Sequence, residues 1–231
     1  MLRSNLLERF RGKETFVAGG SLEQQSAGNV PAHSYYAQAL DLIDQELFAE
    51  AIHSLKKAIA ERPEFAEAHC EMGRAYSRLG RFEDAIKAYS SALKANPNCV
   101  DAYNQLAATY DLAGQSIEAI KICMKAMRLD PRATEVRNTL GIAYFNIGSY
   151  AEAVKAHQQV IKIKPDDVTA HYCLGVIYID LQDKEAALGE QKTLEDCGHS
   201  EVASQLLDEI HWQFSGRPST PLHDSPPAVN A

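Results

Sequence analysis

Histidine and cysteine, the side chains best suited to nucleophilic or metal chemistry, are scattered along this 231-residue sequence. Cys197 and His199 have the residue types of a metal site but supply only two of the four ligands of a structural zinc site. The five cysteines form no Cys-x-x-Cys pair, which is typical of small packing residues in a reducing compartment. We therefore predict no metal site. These cysteines are Cys70, Cys99, Cys123, Cys173 and Cys197.

Motifs for catalysis are also missing from the sequence. It contains no glycine-rich phosphate loop, no Gly-x-Ser-x-Gly and no His-Glu-x-x-His. The paired acids Asp166 and Asp167 follow Pro165 in a turn ahead of a helix, where the helix N-terminus favours negative charge. We therefore predict that the chain is not an enzyme, with no catalytic residues and no cofactor.

A 34-residue period organises the chain. Pro63, Pro97, Pro131 and Pro165 follow one another at this step. The same step separates Tyr76, Tyr110, Tyr144 and Tyr178, the small residues Gly73, Ala107, Gly141 and Gly175, and the alanines Ala51, Ala85, Ala119, Ala153 and Ala187. Self-similarity at a fixed period of this length predicts an array of helical repeats.

Each period contains two segments in which apolar residues recur every three or four positions, the pattern of a one-sided helix. In the second period we predict helices over residues 66–79 and 82–95. Gly80, Gly114 and Gly148 lie between the two helices of a period, where glycine can take a left-handed conformation. The prolines end the second helix. A single hairpin leaves an apolar flank in water, so stability depends on stacking against its neighbours.

This pattern resembles the tetratricopeptide repeat, whose outline is an aromatic, Leu-Gly, Tyr, Ala, an aromatic and Pro. The repeats span residues 32–65, 66–99, 100–133, 134–167 and 168–201, and a capping helix covers residues 201–214. The resemblance implies an all-α fold, an α-solenoid in which antiparallel helix hairpins form a right-handed superhelix. The departures from the pattern are His69, Arg137, Cys123, His157 and His199, the last of which replaces the proline of the fifth repeat. His69, His157 and His171 occupy aromatic positions of the repeat and are interpreted as packing residues.

The charge of the sequence is unevenly distributed. The net charge is −8, of which residues 1–31 carry +1 and residues 215–231 carry zero, so the repeats hold about −9. This disfavours nucleic acid, which requires a basic surface, and favours basic or neutral protein partners.

Both ends differ from the repeats. Residues 1–31 are predicted to be an arm and linker in which Leu2, Leu6, Leu7 and Phe10 line one face of a short helix. That helix either packs on the first repeat or touches a membrane or a partner. The Pro- and Ser-rich residues 215–231 are predicted to be disordered. No apolar run is long enough to span a membrane or to act as a secretory signal, and we expect the protein to be cytoplasmic.

The resemblance implies that the first helices of successive repeats line a concave groove. The groove residues that we predict are Tyr36, Leu40, Arg74, Asn104, Asn138, Ile142, Phe145, Tyr172, Val176 and Ile179, and the same template adds Glu67, Asp101 and Glu135. Asn104 and Asn138 could hydrogen-bond the main chain of a ligand. The apolar members in the last two repeats form either a binding patch or packing against one another and the closing helix.

Family members that bind heat-shock chaperones hold a peptide carboxylate with Lys, Asn and Arg side chains on three successive first helices. No register of this array supplies that set. On the first three repeats the positions hold Tyr36, Leu40, Glu71, Asp101 and Gln105, so we predict no chaperone C-terminus binding. The sequence thus predicts an interaction module or scaffold that binds a protein or peptide. The alternative is a self-assembling structural protein whose terminal repeats stack between copies, aided by the arm.

Overall fold

The computed structural model describes residues 30–215, which form eleven α-helices and contain no β-strand. The predicted all-α fold is therefore confirmed. The helices are α1 (Val30–Asp44), α2 (Phe48–Glu61), α3 (Ala66–Arg78), α4 (Phe82–Ala95), α5 (Val100–Leu112), α6 (Ser116–Leu129), α7 (Thr134–Asn146), α8 (Tyr150–Ile163), α9 (Val168–Asp180), α10 (Lys184–Asp196) and α11 (Ser200–Ser215). The predicted amphipathic arm lies outside the described residues, as does all of the predicted tail except Ser215.

The chain divides into two compact units, and the division falls after Ala156 within α8. In the first unit, α1 packs on α2, α3 on α4 and α5 on α6, so each 34-residue period forms a pair of helices. In the second unit, α9 packs on α10, and α11 packs on both of them.

The turn inside each helix pair has the same backbone form. Gly80, Gly114 and Gly148 have positive φ angles of 72°, 74° and 81°, as the glycine pattern predicted. In the first and fifth repeats the equivalent residues are Glu46 and Gln182, which adopt φ angles of 59° and 61° without being glycine. The left-handed conformation is therefore a requirement of the hairpin, and these two side chains are strained by it.

The second helices stop just before the periodic prolines. α2, α4, α6 and α8 end at Glu61, Ala95, Leu129 and Ile163, each two residues before a proline. Proline disfavours a helical conformation in the residue before it, which ends the helix. Asp167 then caps α9, because its Oδ1 accepts a hydrogen bond of 2.9 Å from the Ala170 N–H. Asp167 was predicted to stabilise the helix N-terminus through its charge, and the structure shows that it also does so through a direct capping hydrogen bond.

Close helix packing in the first unit depends on residues without bulk. Ala51, Ala85 and Ala119 are completely buried. A Cβ atom added to Gly73 would lie 2.8 Å from the ring of Tyr89, closer than any real Cβ contact. The small residue at this position therefore lets α3 approach α4.

The second unit is closed by α11. A Cβ atom added to Gly175 would overlap a methyl carbon of Leu206, so α9 and α11 are in close contact. Val202, Leu206 and Ile210 of α11 are buried. Trp212 lies on the same helix and is 62% exposed.

Candidate partner-binding surface

The first helices of the first unit lie side by side. α1 contacts α3, α3 contacts α5, and α5 contacts α7, so one face of this unit is built from helices of successive repeats. Because these helices share a repeat register, residues 34 positions apart occupy equivalent places along that face.

Two hydrogen bonds join α5 to α7. Thr139 Oγ1 donates to Asn104 Oδ1 at 2.8 Å, and Asn146 Nδ2 donates to Asp111 Oδ2 at 2.7 Å. Ser116 Oγ donates to the other carboxylate oxygen of Asp111 at 2.5 Å. Burial raises the pKa of Asp111, and the hydrogen bonds from Ser116 and Asn146 oppose that effect. Asn104 is thus a link between repeats as well as a groove candidate.

α3 contributes a buried acid beside a base. Glu71 is buried and forms an ion pair with Arg74, one turn further along the helix, whose side chain is 33% exposed. Burial raises the pKa of Glu71, and the Arg74 guanidinium opposes that effect. Tyr36, on the neighbouring α1, has its pKa raised by burial and then by Glu71 and Glu67. Glu71 and Arg74 therefore offset each other's charge in this part of the surface.

The predicted groove residues of repeats one to three are placed as follows. Tyr36 and Leu40 are half-buried on α1, and the Tyr36 ring lies 4.9 Å from the ring of Phe65, measured between centroids. Arg74 is half-buried on α3, whereas Asn104 on α5 is largely buried. A partner would therefore reach Tyr36, Leu40 and Arg74 more readily than Asn104.

The later groove candidates are buried. Asn138 is 8% exposed, and the five apolar candidates are at most 2% exposed; these are Ile142, Phe145, Tyr172, Val176 and Ile179. In the first unit the Phe145 ring packs edge-on against that of Tyr150, with centroids 5.8 Å apart. In the second unit Tyr172 donates a hydrogen bond of 2.7 Å to Glu209 of α11. These five residues are therefore packed inside the protein, and they do not form an exposed apolar patch.

Three exposed acids recur along the first helices of the first unit. Glu67, Asp101 and Glu135 lie in the first turns of α3, α5 and α7, at equivalent repeat positions, and all three are accessible to solvent. The template placed them in the groove, but the sequence alone did not distinguish them from its buried members. Acids in a first turn also stabilise a helix through its dipole.

Over residues 30–215, no three His, Cys, Asp or Glu side chains converge so that they could hold a metal ion. None of the helices in that range is long and apolar enough to cross a membrane.

Together, the paired helices and their shared register define a protein of tandem helical repeats. Three family models match the sequence, described as Tetratricopeptide repeat for residues 42–110 and 100–132 and as TPR repeat for residues 141–182. The matches cover more than half of the chain, which belongs to the tetratricopeptide repeat family. Members of this family act as scaffolds for interactions between proteins and are typically non-catalytic.

Solved structures support the same fold. MamA of Desulfovibrio magneticus RS-1, from residue 41 onward, is 20% identical and has a TM-score of 0.67, covering 76% of this chain and 99% of its own. TTC0263, a tetratricopeptide protein of Thermus thermophilus, is 18% identical with a TM-score of 0.64 and coverages of 78% and 98%. YrrB, described as a tetratricopeptide protein with an unusual peptide-binding site, is 23% identical with a TM-score of 0.58 and coverages of 75% and 90%. A search of curated proteins found no match.

Proposed function

We propose that the first unit binds a peptide or helix of a protein partner on the surface formed by α1, α3, α5 and α7. The accessible part of this surface, which we call the first-helix surface, includes Tyr36, Leu40, Glu67, Arg74, Asp101 and Glu135. The observation that carries the proposal is the row of solvent-accessible acids at equivalent positions of three successive repeats.

The chemistry of the first-helix surface favours a basic partner. The acids repeat at the 34-residue step, whereas buried Glu71 is paired with Arg74 and adds no net charge. Lysine or arginine side chains would be drawn to this row, whereas acidic segments would be repelled. Tyr36 and Leu40 offer apolar contact area at one end of the surface, where a hydrophobic residue of the partner can be buried.

The buried candidates have a supporting role in this proposal. Asn104, Asn138, Ile142 and Phe145 shape the first-helix surface from beneath, because they hold the first helices in place. In the second unit, Tyr172, Val176 and Ile179 support the packing of α9 in the same way. YrrB is the relative described as having a peptide-binding site, and its likeness to this chain supports peptide recognition as the mode of binding.

We also infer that the chain performs no catalysis and works in the cytoplasm. Binding through a repeated surface requires no reactive group, and the family is typically non-catalytic. All five cysteines are free, which fits a reducing compartment.

A charge-reversal experiment tests the proposal. Peptides of about 15 residues would be selected for binding to the full-length chain from a random display library, and we expect enrichment of lysine and arginine. The triple variant E67K, D101K, E135K should weaken binding of the selected peptides by at least about tenfold, since each exposed charge contact contributes several tenths of a kcal/mol or more. Binding of the unchanged protein should also weaken as salt is added.

A matched triple variant controls for the change in net charge. Glu83, Glu118 and Glu152 lie in the first turns of the second helices α4, α6 and α8, and their side chains are accessible to solvent. Replacing these three acids by lysine alters net charge and helix termini to the same extent, away from the first-helix surface. The proposal is wrong if both triple variants weaken binding equally, or if the selected peptides carry no basic residues.

A second candidate function is assembly of copies of this chain through their ends. The observation in its favour is Trp212, which exposes 62% of its surface on the last helix, α11. Contiguous exposed apolar patches often mark association sites, and Trp212 would contribute its indole ring to such a patch. Light scattering over a range of concentrations distinguishes this candidate, because a monomer at all concentrations contradicts it. A concentration-dependent mass that is lost in W212S would support it.

A further inference from the structure

A second row of charges lies on the second helices of the first unit. α4 packs on both α3 and α5, and α6 packs on both α5 and α7, so the exposed sides of α4 and α6 face away from the first helices. Lys87, Lys121 and Lys155 occupy equivalent repeat positions in α4, α6 and α8, and all three are exposed. We call these three residues the lysine row.

The stretches that contain this row have a charge opposite to that of the whole chain. Residues 85–95 of α4 and 119–129 of α6 contain five Lys or Arg residues and no Asp or Glu, although the chain has 31 acids against 23 bases. The exposed sides of these two second helices are therefore basic, whereas the first-helix surface carries the three exposed acids. The five residues are Lys87, Lys94, Lys121, Lys125 and Arg128.

Neither the helix dipole nor ion pairing within the chain explains the lysine row. Each of its members is the sixth residue of its helix, and a helix dipole favours positive charge only near the C-terminal end. Lys121 Nζ lies 2.6 Å from Glu118 Oε1 on the same helix. Lys87 and Lys155 form no ion pair with an acid among residues 30–215. Their charges are available to an external partner.

The lysine row matches the row of acids on the first-helix surface in both number and spacing. Glu67, Asp101 and Glu135 lie in repeats two, three and four, as the three lysines do, and both rows advance by 34 residues. The same stacking of repeats therefore sets the spacing of both rows. The three acids of one copy can meet the three lysines of a second copy at the same time, which makes the two surfaces electrostatically complementary.

Apolar side chains accompany the charges on both surfaces. Ile117 and Met124 are 62% and 48% exposed, and they lie one turn before and one turn after Lys121 on the same side of α6. On the first-helix surface, Tyr36 and Leu40 are partly accessible. Exposed charge pairs contribute little by themselves, whereas removal of apolar area from water favours association. The charges would select the pairing, and the apolar side chains would strengthen it.

We propose that a second copy of this chain binds the first-helix surface through its lysine row. This inference rests on the proposed function, because it identifies the basic partner that the acids attract. The contact joins two different surfaces, so each copy can bind one neighbour on either side, and association continues as an open chain of copies. It uses the sides of helices in the first unit and is therefore distinct from end-to-end contact through Trp212.

Reversal of either row tests this contact in the full-length chain. The acid-row variant is E67K, D101K, E135K. The lysine-row variant is K87E, K121E, K155E. In about 0.1 M salt the Debye length of about 10 Å limits repulsion between the net charges of the copies. Under these conditions we expect the mass of the unchanged protein in sedimentation velocity to rise with concentration. Each triple variant should weaken this association by at least about tenfold.

Mixing the two triple variants gives the sharpest result. Each variant alone presents two rows of the same sign, whereas in the mixture every row meets one of opposite sign. We therefore expect an equimolar mixture to recover the association that both variants have lost. A control variant with the same change in net charge as the lysine-row variant, K164E, K184E, K192E in the second unit, should weaken association much less. Circular dichroism checks that every variant is folded.

Three results would overturn the inference. They are a chain that is monomeric at all concentrations, a mixture that does not recover association, and equal weakening by the lysine-row variant and its control. Association that is lost in W212S but kept in both row variants would also overturn it and would assign the contact to the chain ends. Peptide selection does not involve the lysine row. If peptides that depend on the acids are selected while the chain stays monomeric, only this inference fails and the proposed function stands.

Discussion

His171 Nδ1 lies 2.6 Å from Glu190 Oε2, and this contact joins α9 to α10 in the second unit. The other ring nitrogen, Nε2, lies 2.8 Å from the carbonyl oxygen of Pro165. Both neighbours are acceptors, so the imidazole satisfies both of them only when it is doubly protonated. His69 repeats part of this arrangement in the second repeat, where its Nε2 lies 2.9 Å from the Pro63 carbonyl oxygen.

The first prediction concerns the pH dependence contributed by His171. The hydrogen bond to Glu190 is the main cause that raises the pKa of His171, and burial partly opposes it. A raised pKa means that the stabilisation is complete below the pKa of the unfolded chain, about 6.5, and is lost as pH rises through the folded value. E190Q should lower the free energy of unfolding by about 1.5 kcal/mol at about pH 5.5 and by less at about pH 8.5.

Urea unfolding at a series of pH values measures this effect. H171Q removes the titrating group and should lower the free energy of unfolding at low pH by at least as much as E190Q, because it also removes the contact with the Pro165 carbonyl oxygen. A loss that is equal at the acidic and the alkaline end of the series would contradict a charged histidine in this contact.

The second prediction concerns His157, whose titration has the opposite sign. Complete burial lowers the pKa of His157 to about 4, although Asp167 acts in the other direction. Between about pH 6.5 and 4 the unfolded chain binds a proton that the folded chain does not, so the stability falls as pH falls through this range. The loss attributable to this residue should be about 3 kcal/mol, since each pKa unit corresponds to about 1.4 kcal/mol.

The variant H157N removes this titration. Its free energy of unfolding should be lower near neutral pH, because a buried side chain is lost, but should depend less on pH across the same acidic range. NMR titration of the His157 ring checks the cause directly. A ring that titrates near pH 6.5, the ordinary value for histidine, would show that burial does not suppress its charge.

The third prediction concerns the two hairpin turns that lack glycine. Glu46 and Gln182 adopt positive φ angles in the place that glycine occupies in the other three repeats. Glycine has no Cβ to be strained there, so E46G and Q182G should each raise the free energy of unfolding by about 1 kcal/mol. The Arg78–Glu46 contact at 3.5 Å is exposed, and its loss should cost little.

A matched control distinguishes relief of strain from a general effect of glycine. Lys56 is exposed in the interior of α2, where K56G should instead lower the free energy of unfolding by about 1 kcal/mol. Denaturant unfolding of E46G, Q182G and K56G shows whether each substitution raises or lowers the free energy of unfolding. A loss of stability in both E46G and Q182G would contradict the strain argument.

The fourth prediction concerns glycines inside helices. An added Cβ at Gly73 meets the Tyr89 ring, and one at Gly175 meets Leu206. G73A and G175A should therefore each lower the free energy of unfolding by about 2 kcal/mol through overpacking. Gly189 lies within α10, where an added Cβ has no neighbour within 4 Å, so G189A should raise the free energy of unfolding by about 0.5–1 kcal/mol. Thermal melts of G73A, G175A and G189A measure these changes. Equal changes in melting temperature for all three variants would contradict the packing explanation.

The exposure of the groove candidates is where structure and sequence diverge most. Ile142 and Phe145 occupy repeat positions that face the groove in the family template. The 34-residue register therefore predicted that both side chains line the groove. Whether such a residue reaches solvent depends on the size and polarity of the side chains around it. Phe145 packs against Tyr150, and Tyr172 reaches Glu209 of the closing helix. Those partners come from other positions in the chain, which a periodic pattern does not identify.

Sequence periodicity alone was enough to determine the helical repeats, the left-handed glycine turns and the proline stops, because each depends on backbone preferences within a few residues. Only the tertiary structure decided which members of a register are buried, and that Glu46 and Gln182 share the glycine turn. These features depend on contacts between residues far apart in the chain. Such contacts follow from how the helices pack, and the order of residue types does not contain them explicitly.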